Sequence, residues 1–230
     1  MATMHVAYAN QPAVETKERL EDPLAHLPHS AVAELVKGQT IYGYGQPSNC
    51  IYLVVSGRVK VSRRADDGRH VMVDIYKTDE LFGESAFLNL PWRPEQAVAL
   101  ENTQLMSWTA ADIEDIVTRR PRLAVALLQI LVQRSNEFAQ RIESFALDSI
   151  PQRLARSLIR FSERLGTEQE DGSIRMPPFT HELISQYVGT SREIVTFHMN
   201  HFRKQGYVRY TRKELVLNRD KVSRWLHKAA

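Results

Sequence analysis

The polar residues best suited to contact the bases of nucleic acid lie between Thr180 and Asn200. Arg192 and Glu193 stand next to each other there, directly after Ser191. An arginine can donate two hydrogen bonds to guanine, and a glutamate can accept one from the amino group of cytosine. These side chains reach base edges only if a rigid element carries them into a groove of the duplex.

The surrounding chain predicts two helices joined by a tight turn. Thr180 can cap the first helix and Ser191 the second, because a hydroxyl accepts hydrogen bonds from free amides at a helix start. Gly189 is expected to end the first helix in a left-handed conformation. The apolar side chains that helical spacing turns inward in the second helix are Val195, Met199 and Phe202. This pattern favours a helix-turn-helix, whose second helix enters the major groove; the alternative is an ordinary helical hairpin with a solvated polar face.

The residues after Gly206 extend this surface. Tyr207–Thr211 and Leu215–Leu217 predict a β-hairpin wing, and its cations are suited to phosphate oxygens. The candidate DNA contacts are Thr180, His181, Gln186, Ser191, Arg192, Glu193, Thr196, Phe197, Asn200, Arg209, Arg212 and Lys213.

Charge is unevenly distributed along the chain. Residues 150–230 hold 15 Lys and Arg against 8 Asp and Glu, a net charge of +7, whereas residues 1–149 hold 15 against 19, a net charge of −4. A basic C-terminal part is typical of a protein that binds a polyanion.

Composition indicates a cytoplasmic protein of two domains. The chain has 230 residues, of which 43% are hydrophobic, and it contains no run of about 18 apolar residues that could cross a membrane. Cys50 is the single cysteine, which excludes an internal disulfide and an iron–sulfur cluster held by four thiolates. Residues 1–20 lack the features of a signal peptide and are expected to be a disordered extension.

Short runs of β-branched and aromatic residues, separated by glycines and turns, predict a rolled sheet before residue 110. A helical lead-in is expected over Pro23–Lys37. The predicted strands are Gln39–Tyr44, Ile51–Ser56, Arg58–Arg63, His70–Tyr76, Gln96–Glu101 and Gln104–Trp108.

A long helix is predicted to begin at Pro121 and to end at a hinge over residues 146–149, with Asp148 capping the following helix. It is apolar on more than one face, which favours packing on its own domain and on a partner; the alternative is one deeply buried helix of a single domain. The residues expected at a dimer interface are Leu127, Leu131, Phe138, Ile142 and Phe145.

Three motifs resemble the CRP/FNR family of bacterial transcription regulators. They are Ile51-Tyr52-Leu53-Val54-Val55-Ser56-Gly57-Arg58-Val59, Phe82-Gly83-Glu84, and Ser191-Arg192-Glu193 preceded by Gln186-Tyr187-Val188-Gly189.

The resemblance covers nearly the whole chain and implies an α+β fold. Residues 21–120 would form a cyclic-nucleotide-binding-like β-roll (a double-stranded β-helix, similar to a jelly roll), residues 121–147 the dimerisation helix and hinge, and residues 148–230 a winged helix-turn-helix domain. It also implies a homodimer that binds near-palindromic promoter DNA, with RNA polymerase as a protein partner.

The resemblance is incomplete at the effector pocket. Members that bind cyclic AMP hold its phosphate with an Arg-Ser pair, and the matching positions here are Glu95 and Gln96. A carboxylate repels a phosphate that arginine would bind, so cyclic AMP is not expected to be the effector, although Arg93 could substitute. Another small molecule, or no effector at all, is the expectation. The candidate effector residues are Gly83, Glu84, Ser85, Arg93, Glu95, Gln96, Glu137 and Phe138.

Two other classes of function compete with a DNA-binding regulator. A ligand-binding module that controls a partner enzyme would need only the roll, and the basic C-terminal part argues against it. An enzyme is not expected, because no catalytic constellation stands out. Two histidine pairs have i, i+3 spacing, but packing or phosphate contact suits them better than metal binding, and no metal site or certain cofactor is expected. These pairs are His26 with His29 and His198 with His201.

Overall fold

Eight short antiparallel strands build the N-terminal part of the protein. A computed structural model describes residues 20–88 and 90–229; the predicted disordered extension, apart from Leu20, lies outside them. The strands form two four-stranded sheets, with the orders β1-β8-β3-β6 and β2-β7-β4-β5. Their bounds are β1 Ala33–Leu35, β2 Thr40–Tyr42, β3 Cys50–Ser56, β4 Arg58–Arg64, β5 His70–Lys77, β6 Leu81–Phe82, β7 Glu95–Ala99 and β8 Thr103–Thr109.

Apolar residues of both sheets meet in the interior of the roll, as the strand pattern predicts. Val54, Val59, Phe82 and Ala97 are at most 1% exposed and belong to one cluster. Gly57 makes the β3–β4 turn possible: its φ is +87°, and a Cβ there would lie 2.5 Å from the hydroxyl oxygen of Thr103.

The predicted helical lead-in is mostly wrong. Only Pro23–Ala25 forms a short 3-10 helix, whereas Ala33–Leu35 is a strand that pairs with β8. The edge of β8 offers unpaired backbone groups, and pairing with them outweighs the weak helical spacing of the segment.

Six α-helices lie in the rest of the chain that the structure describes. Their bounds are α1 Ala110–Arg119, α2 Arg122–Leu147, α3 Ile150–Leu165, α4 His181–Val188, α5 Arg192–Lys204 and α6 Arg219–Ala229. A small antiparallel sheet of order β11-β12-β10-β9 lies beside the last four helices. Its strands are β9 Thr167–Glu168, β10 Ile174–Met176, β11 Val208–Tyr210 and β12 Leu215–Leu217.

Asp148 does not cap α3. Ser149 is the N-cap of that helix and forms a capping box with Gln152. Asp148 instead ends α2, where its carboxylate accepts hydrogen bonds from Ser144 (2.5 Å) and Arg156 (2.7 Å). Asp148 and Ser149 are both residue types that can cap the start of α3. Because the carboxylate of Asp148 is bonded to Arg156, Ser149 is the residue that caps this helix.

The helix-turn-helix is packed against strand β5 of the roll. Met72 and Ile75 of β5 are buried in the same apolar cluster as the helices of the C-terminal part. Arg141 of α2 donates to the carbonyl oxygens of Met72 (2.7 Å) and Tyr187 (2.9 Å), and Arg164 of α3 pairs with the buried Asp74 at 2.6 Å. The roll therefore holds α4, and through it α5, in a defined position.

Candidate nucleic-acid interface and ligand pocket

Helices α4 and α5 form the predicted helix-turn-helix. The hydroxyl of Thr180 accepts from the amide of Leu183 at 3.1 Å, and that of Ser191 accepts from the amide of Ile194 at 3.3 Å. Gly189 between them has φ of +73° and ψ of +47°. Thr180 and Ser191 therefore cap the two helices, and Gly189 forms the left-handed turn between them. The turn leaves one side of α5 exposed to solvent.

The two sides of α5 differ as the sequence predicts. The inward side chains of Val195, Met199 and Phe202 are at most 1% exposed. Arg192 and Glu193 are exposed on the outward side. Arg192 forms no ion pair or hydrogen bond through its side chain with any residue in the described ranges. Amide groups at the helix start and the Ser191 hydroxyl lower the pKa of Glu193, which keeps its carboxylate ionised as an acceptor.

His181 and Thr196 hold the two helices together. The Nδ1 atom of His181 lies 2.8 Å from the hydroxyl oxygen of Thr196, and that hydroxyl also donates to the carbonyl of Arg192 at 2.8 Å. Burial and the nearby Arg192 cation lower the pKa of His181, so its ring is neutral at pH 7. Both predicted DNA contacts are therefore engaged within the protein, where they orient the start of α5.

Two more predicted contacts are partly engaged in the same way. Asn200 accepts a hydrogen bond from the hydroxyl of Tyr210 at 3.1 Å. Gln186 donates to Glu182 at 3.0 Å and accepts from Lys60 of the roll at 3.4 Å. These bonds connect α5 to the wing and α4 to β4.

The wing and α5 together form one exposed surface, which we call the recognition surface. The wing hairpin pairs Val208 with Leu217 and Tyr210 with Leu215. The recognition surface comprises Arg192, Glu193, Phe197, Arg209, Arg212 and Lys213, all of them exposed. The last turn of α5 adds three basic residues that the sequence reasoning did not include, namely His201, Arg203 and Lys204.

Arg93 is buried in the roll and bonds to two of the other predicted ligand-binding residues, Gly83 and Ser85. It is 2% exposed, and its Nη1 atom donates to the carbonyl of Gly83 at 2.9 Å and to the hydroxyl of Ser85 at 3.0 Å. Its Nη2 atom donates to the carbonyl of Cys50, and its guanidinium carbon lies 4.2 Å from the centre of the Tyr42 ring. The cation is thus bonded to the protein itself.

The neighbouring carboxylates also have protein partners. Glu95 accepts from the hydroxyl of Ser85 at 2.6 Å. Glu84 accepts from Arg134 of α2 at 2.7 Å. Gln96 lies in β7, opposite Ser62. The structure therefore joins Gly83, Ser85, Arg93 and Glu95 in one hydrogen-bonded group. Glu84 lies next to this group in the sequence but bonds to Arg134.

Arg134 is a pocket residue that the sequence reasoning missed. Its guanidinium donates to the carbonyl of Leu81 and lies 4.8 Å from the centre of the Tyr76 ring. The available signal was helical spacing, because position 134 continues the inward row of Leu123, Leu127 and Ile130. A charged residue on an apolar row requires a buried partner.

Glu137 and Phe138, the predicted effector residues of α2, form no hydrogen bond or ion pair with Arg93 or Glu95 among the described residues. Glu137 pairs with Arg160 of α3 at 2.5 Å, and Phe138 is partly exposed on the surface of α2. Arg134, one turn earlier on α2, is the residue that bonds to Glu84 beside the predicted pocket.

A row of exposed apolar residues runs along α2. Leu128, Leu131 and Ile142 are 61%, 41% and 67% exposed. Leu127, which we predicted at the dimer interface, is partly buried and packs against the core of its own roll. Its neighbour Leu128 is the more exposed of the two leucines, and both lie within helical spacing of Leu131.

Phe145 also has an intramolecular role. Its ring lies between Arg141 and Arg153, whose guanidinium carbons are 5.5 and 5.3 Å from the ring centre. A Cβ added to Gly189 would lie 3.0 Å from this ring. Phe145 therefore packs on the turn of its own helix-turn-helix, although it is still 39% exposed.

Within residues 20–88 and 90–229, no helix is both long and apolar enough to span a bilayer. In the same ranges, no group of three or more His, Cys, Asp or Glu side chains has an arrangement that could hold a metal ion.

Comparison with known families assigns both parts of the chain. A model described as a cyclic nucleotide-binding domain matches residues 32–120, and one described as a Crp-like helix-turn-helix domain matches residues 152–225. The chain belongs to the CRP/FNR family. This regulator is 29% identical over 199 residues to the CRP-like cAMP-activated global transcriptional regulator of Mycobacterium tuberculosis, covering 82% of this chain and 88% of that protein. It is 27% identical over 188 residues to the global nitrogen regulator of Synechococcus elongatus, covering 81% and 85%.

Solved structures share the fold. FixK2 from Bradyrhizobium japonicum superposes with a TM-score of 0.75 at 20% identity, covering 86% of this chain and 97% of that one. A CRP/FNR-family transcriptional regulator from Thermus thermophilus superposes with a TM-score of 0.67 at 22% identity, covering 86% and 98%. The chain is therefore a DNA-binding transcription regulator, and the predicted α+β fold of antiparallel roll, long helix and helix-turn-helix is confirmed. The alternatives of an ordinary helical hairpin and of a roll that only controls an enzyme do not account for the helix-turn-helix domain, and the family is one of regulators rather than enzymes.

Proposed function

We propose that this CRP/FNR regulator binds near-palindromic promoter DNA as a homodimer and that cyclic AMP is not its effector. The observation that carries the proposal is a contrast between two arginines. Arg192 on the recognition surface is exposed and its side chain has no partner among the described residues, whereas Arg93 in the roll is buried and both of its Nη atoms donate to protein groups. A promoter-bound dimer would act on RNA polymerase, which we propose as its protein partner.

Two kinds of DNA contact are proposed for the recognition surface. Arg192 and Glu193, at the start of α5, would contact the edges of a G·C-containing step, because the first turns of such a helix enter the major groove. Arg209, Arg212 and Lys213, on the wing, would contact phosphates, since exposed cations position a protein on the duplex without reading its sequence.

The exposed row on α2 supports the homodimer. Leu128, Leu131, Phe138 and Ile142 lie three, seven and four residues apart, intervals at which a helix presents a seam to a partner helix. A monomer would leave this seam in water, and contiguous exposed apolar surface marks an interaction site. A two-fold dimer implies half-sites whose centres are about 34–36 Å apart.

Sedimentation and DNA binding together test the dimer. Leu128→Asp would bury a carboxylate in the seam, so we expect a monomer at micromolar concentration and loss of high-affinity binding to a two-half-site operator. Gln133→Asp is the matched control, because Gln133 is an exposed polar residue of the same helix that is not a member of the apolar row. A monomeric wild-type protein that still binds the full operator tightly would contradict the proposal.

The bonding of Arg93 supports the exclusion of cyclic AMP. To bind a cyclic phosphate, Arg93 would have to break hydrogen bonds to Gly83, Ser85 and Cys50. The carboxylate of Glu95 lies in the same group and would repel the phosphate. Losing a charge-assisted bond costs roughly 1.5–3 kcal/mol, and every 1.4 kcal/mol is about tenfold in affinity. We therefore expect affinity for cyclic AMP to be lower by about one to two decades than in a pocket with a free arginine.

Titration calorimetry with cyclic AMP tests this exclusion. We expect no binding heat at micromolar nucleotide from protein that is shown, in the same preparation, to bind operator DNA. Micromolar binding would show that Arg93 leaves its carbonyl partners for the phosphate. Native mass spectrometry of protein purified from its own host would reveal any other small molecule that occupies the roll.

A further inference from the structure

Phe197 is an exposed aromatic residue on an otherwise polar helix face. Its side chain is 69% exposed, compared with 37% for Ile194, the other exposed large apolar residue of α5. The ring meets that of His198 edge-on, with centroids 5.1 Å apart. The fold therefore leaves most of the Phe197 ring in water, which is unfavourable unless a partner covers it.

The position of Phe197 places it on the side of α5 that faces DNA. It lies four residues after Glu193, one helical turn further along the same side. It follows Arg192 by five residues, which is about 7.5 Å along the helix axis. Successive bases are about 3.4 Å apart along a DNA strand, so Phe197 would meet a base pair roughly two steps from the one that Arg192 contacts.

The charges around Phe197 select DNA as its partner rather than an apolar protein surface. Arg192 precedes it, and the last turn of α5 carries His201, Arg203 and Lys204. An exposed ring on a helix with basic residues near both ends suits a site that is apolar at one point and has phosphates around it. In the major groove that point is the C5 methyl group of thymine, which an apolar side chain such as phenylalanine can contact.

We propose that Phe197 reads a thymine through its C5 methyl group in each half-site. The inference rests on the DNA contacts proposed for α5. A phenyl ring has no hydrogen-bonding atom, so it cannot distinguish bases by their donors and acceptors. It distinguishes them by the methyl group, which cytosine, guanine and adenine lack. Covering one methyl-sized apolar group is worth about fourfold in affinity, so two half-sites would give a discrimination of roughly tenfold or more.

Replacing thymine by deoxyuridine tests this contact without changing base pairing. An operator is first selected in vitro from random DNA with the wild-type full-length protein. Each thymine is then replaced by deoxyuridine, symmetrically in both half-sites, and affinities are measured by fluorescence anisotropy. We expect one symmetric position, about two base pairs from a G·C pair, to lose roughly tenfold on loss of its methyl groups.

Two variants assign the effect to the ring. Phe197→Ala should bind the thymine and deoxyuridine operators equally at that position, while Ile194→Ala should keep the wild-type discrimination. Both side chains are exposed, so thermal melting serves to confirm that both variants are folded. Wild-type protein that binds its operator but loses less than twofold at every thymine would overturn the role of Phe197 alone, as would retained discrimination in Phe197→Ala. Failure of the wild-type protein to select any sequence would overturn the proposed base contacts of α5 and this inference with them.

Discussion

The roll and the recognition surface both depend on arginines, but they use them in opposite ways. In the roll, Arg93 is buried and donates to Gly83, Ser85 and Cys50. On the recognition surface, Arg192 is exposed and its side chain has no hydrogen-bonding or ionic partner in the described part of the chain. The first arginine completes the fold of its own domain, whereas the second is available to another molecule.

This difference shows how the family's motifs can remain while their role changes. Gly83 and Glu84 are present as the family pattern requires, yet Arg93 and Arg134 occupy the hydrogen-bonding groups around them. A buried guanidinium must be bonded, because leaving a charge unpaired in the interior is costly. A carbonyl or carboxylate that is already bonded to an arginine of the protein is not free to bind a ligand. The presence of the Gly83-Glu84 motif therefore does not imply that the roll binds the ligand of other family members.

The largest effect expected from this comparison is on stability. Arg93→Ala leaves the carbonyl groups of Gly83 and Cys50 without their buried donor and creates a cavity, so unfolding should become easier by about 3 kcal/mol or more. Denaturant titration measures the change. Arg192→Ala is the matched control and should alter stability by no more than about 0.5 kcal/mol. Equal stabilities of the two variants would contradict the contrast between them.

A smaller effect is expected on sequence-specific DNA binding. Arg192→Ala should weaken binding to the selected operator by about 1–3 kcal/mol and relax the preference at one G·C pair. Competition binding with operators that vary at each position measures both quantities. If affinity falls by the same factor for every sequence, Arg192 contacts a phosphate and not a base edge.

The smallest effect on DNA affinity is expected from replacing a cation of the wing. Arg209→Ala should weaken binding to all sequences about equally and reduce the slope of log affinity against log salt by about one. Affinities measured over a range of salt concentrations give this slope. An unchanged slope would show that Arg209 makes no phosphate contact.

Rules that depend on neighbouring residues were sufficient to predict the helix-turn-helix from the sequence. They were insufficient to predict the contacts around the predicted ligand pocket. Thr180, Gly189 and Ser191 could be interpreted correctly because caps and left-handed glycines depend on a few neighbouring residues. Arg134 could not, because its partners Glu84 and Leu81 are about fifty positions away in the sequence. The strand at Ala33–Leu35 was missed for a similar reason, since it forms only against β8.

The register of α2 shows where pattern reasoning loses precision. Leu127 and Leu128 are adjacent leucines, and the apolar spacing of the helix permits either one at a seam. Contact with the roll separates them, because Leu127 is partly buried against the roll and Leu128 is exposed. Such a choice needs the tertiary structure.

The central claim is that DNA binding by this regulator does not require cyclic AMP. The most direct test is fluorescence anisotropy of a labelled, in vitro selected operator titrated with nucleotide-free protein, in the absence and presence of saturating cyclic AMP. We predict the same dissociation constant in both titrations, because Arg93 and Arg134 are already bonded within the roll. Binding that appears only with cyclic AMP, or that tightens tenfold or more when it is added, would contradict this account.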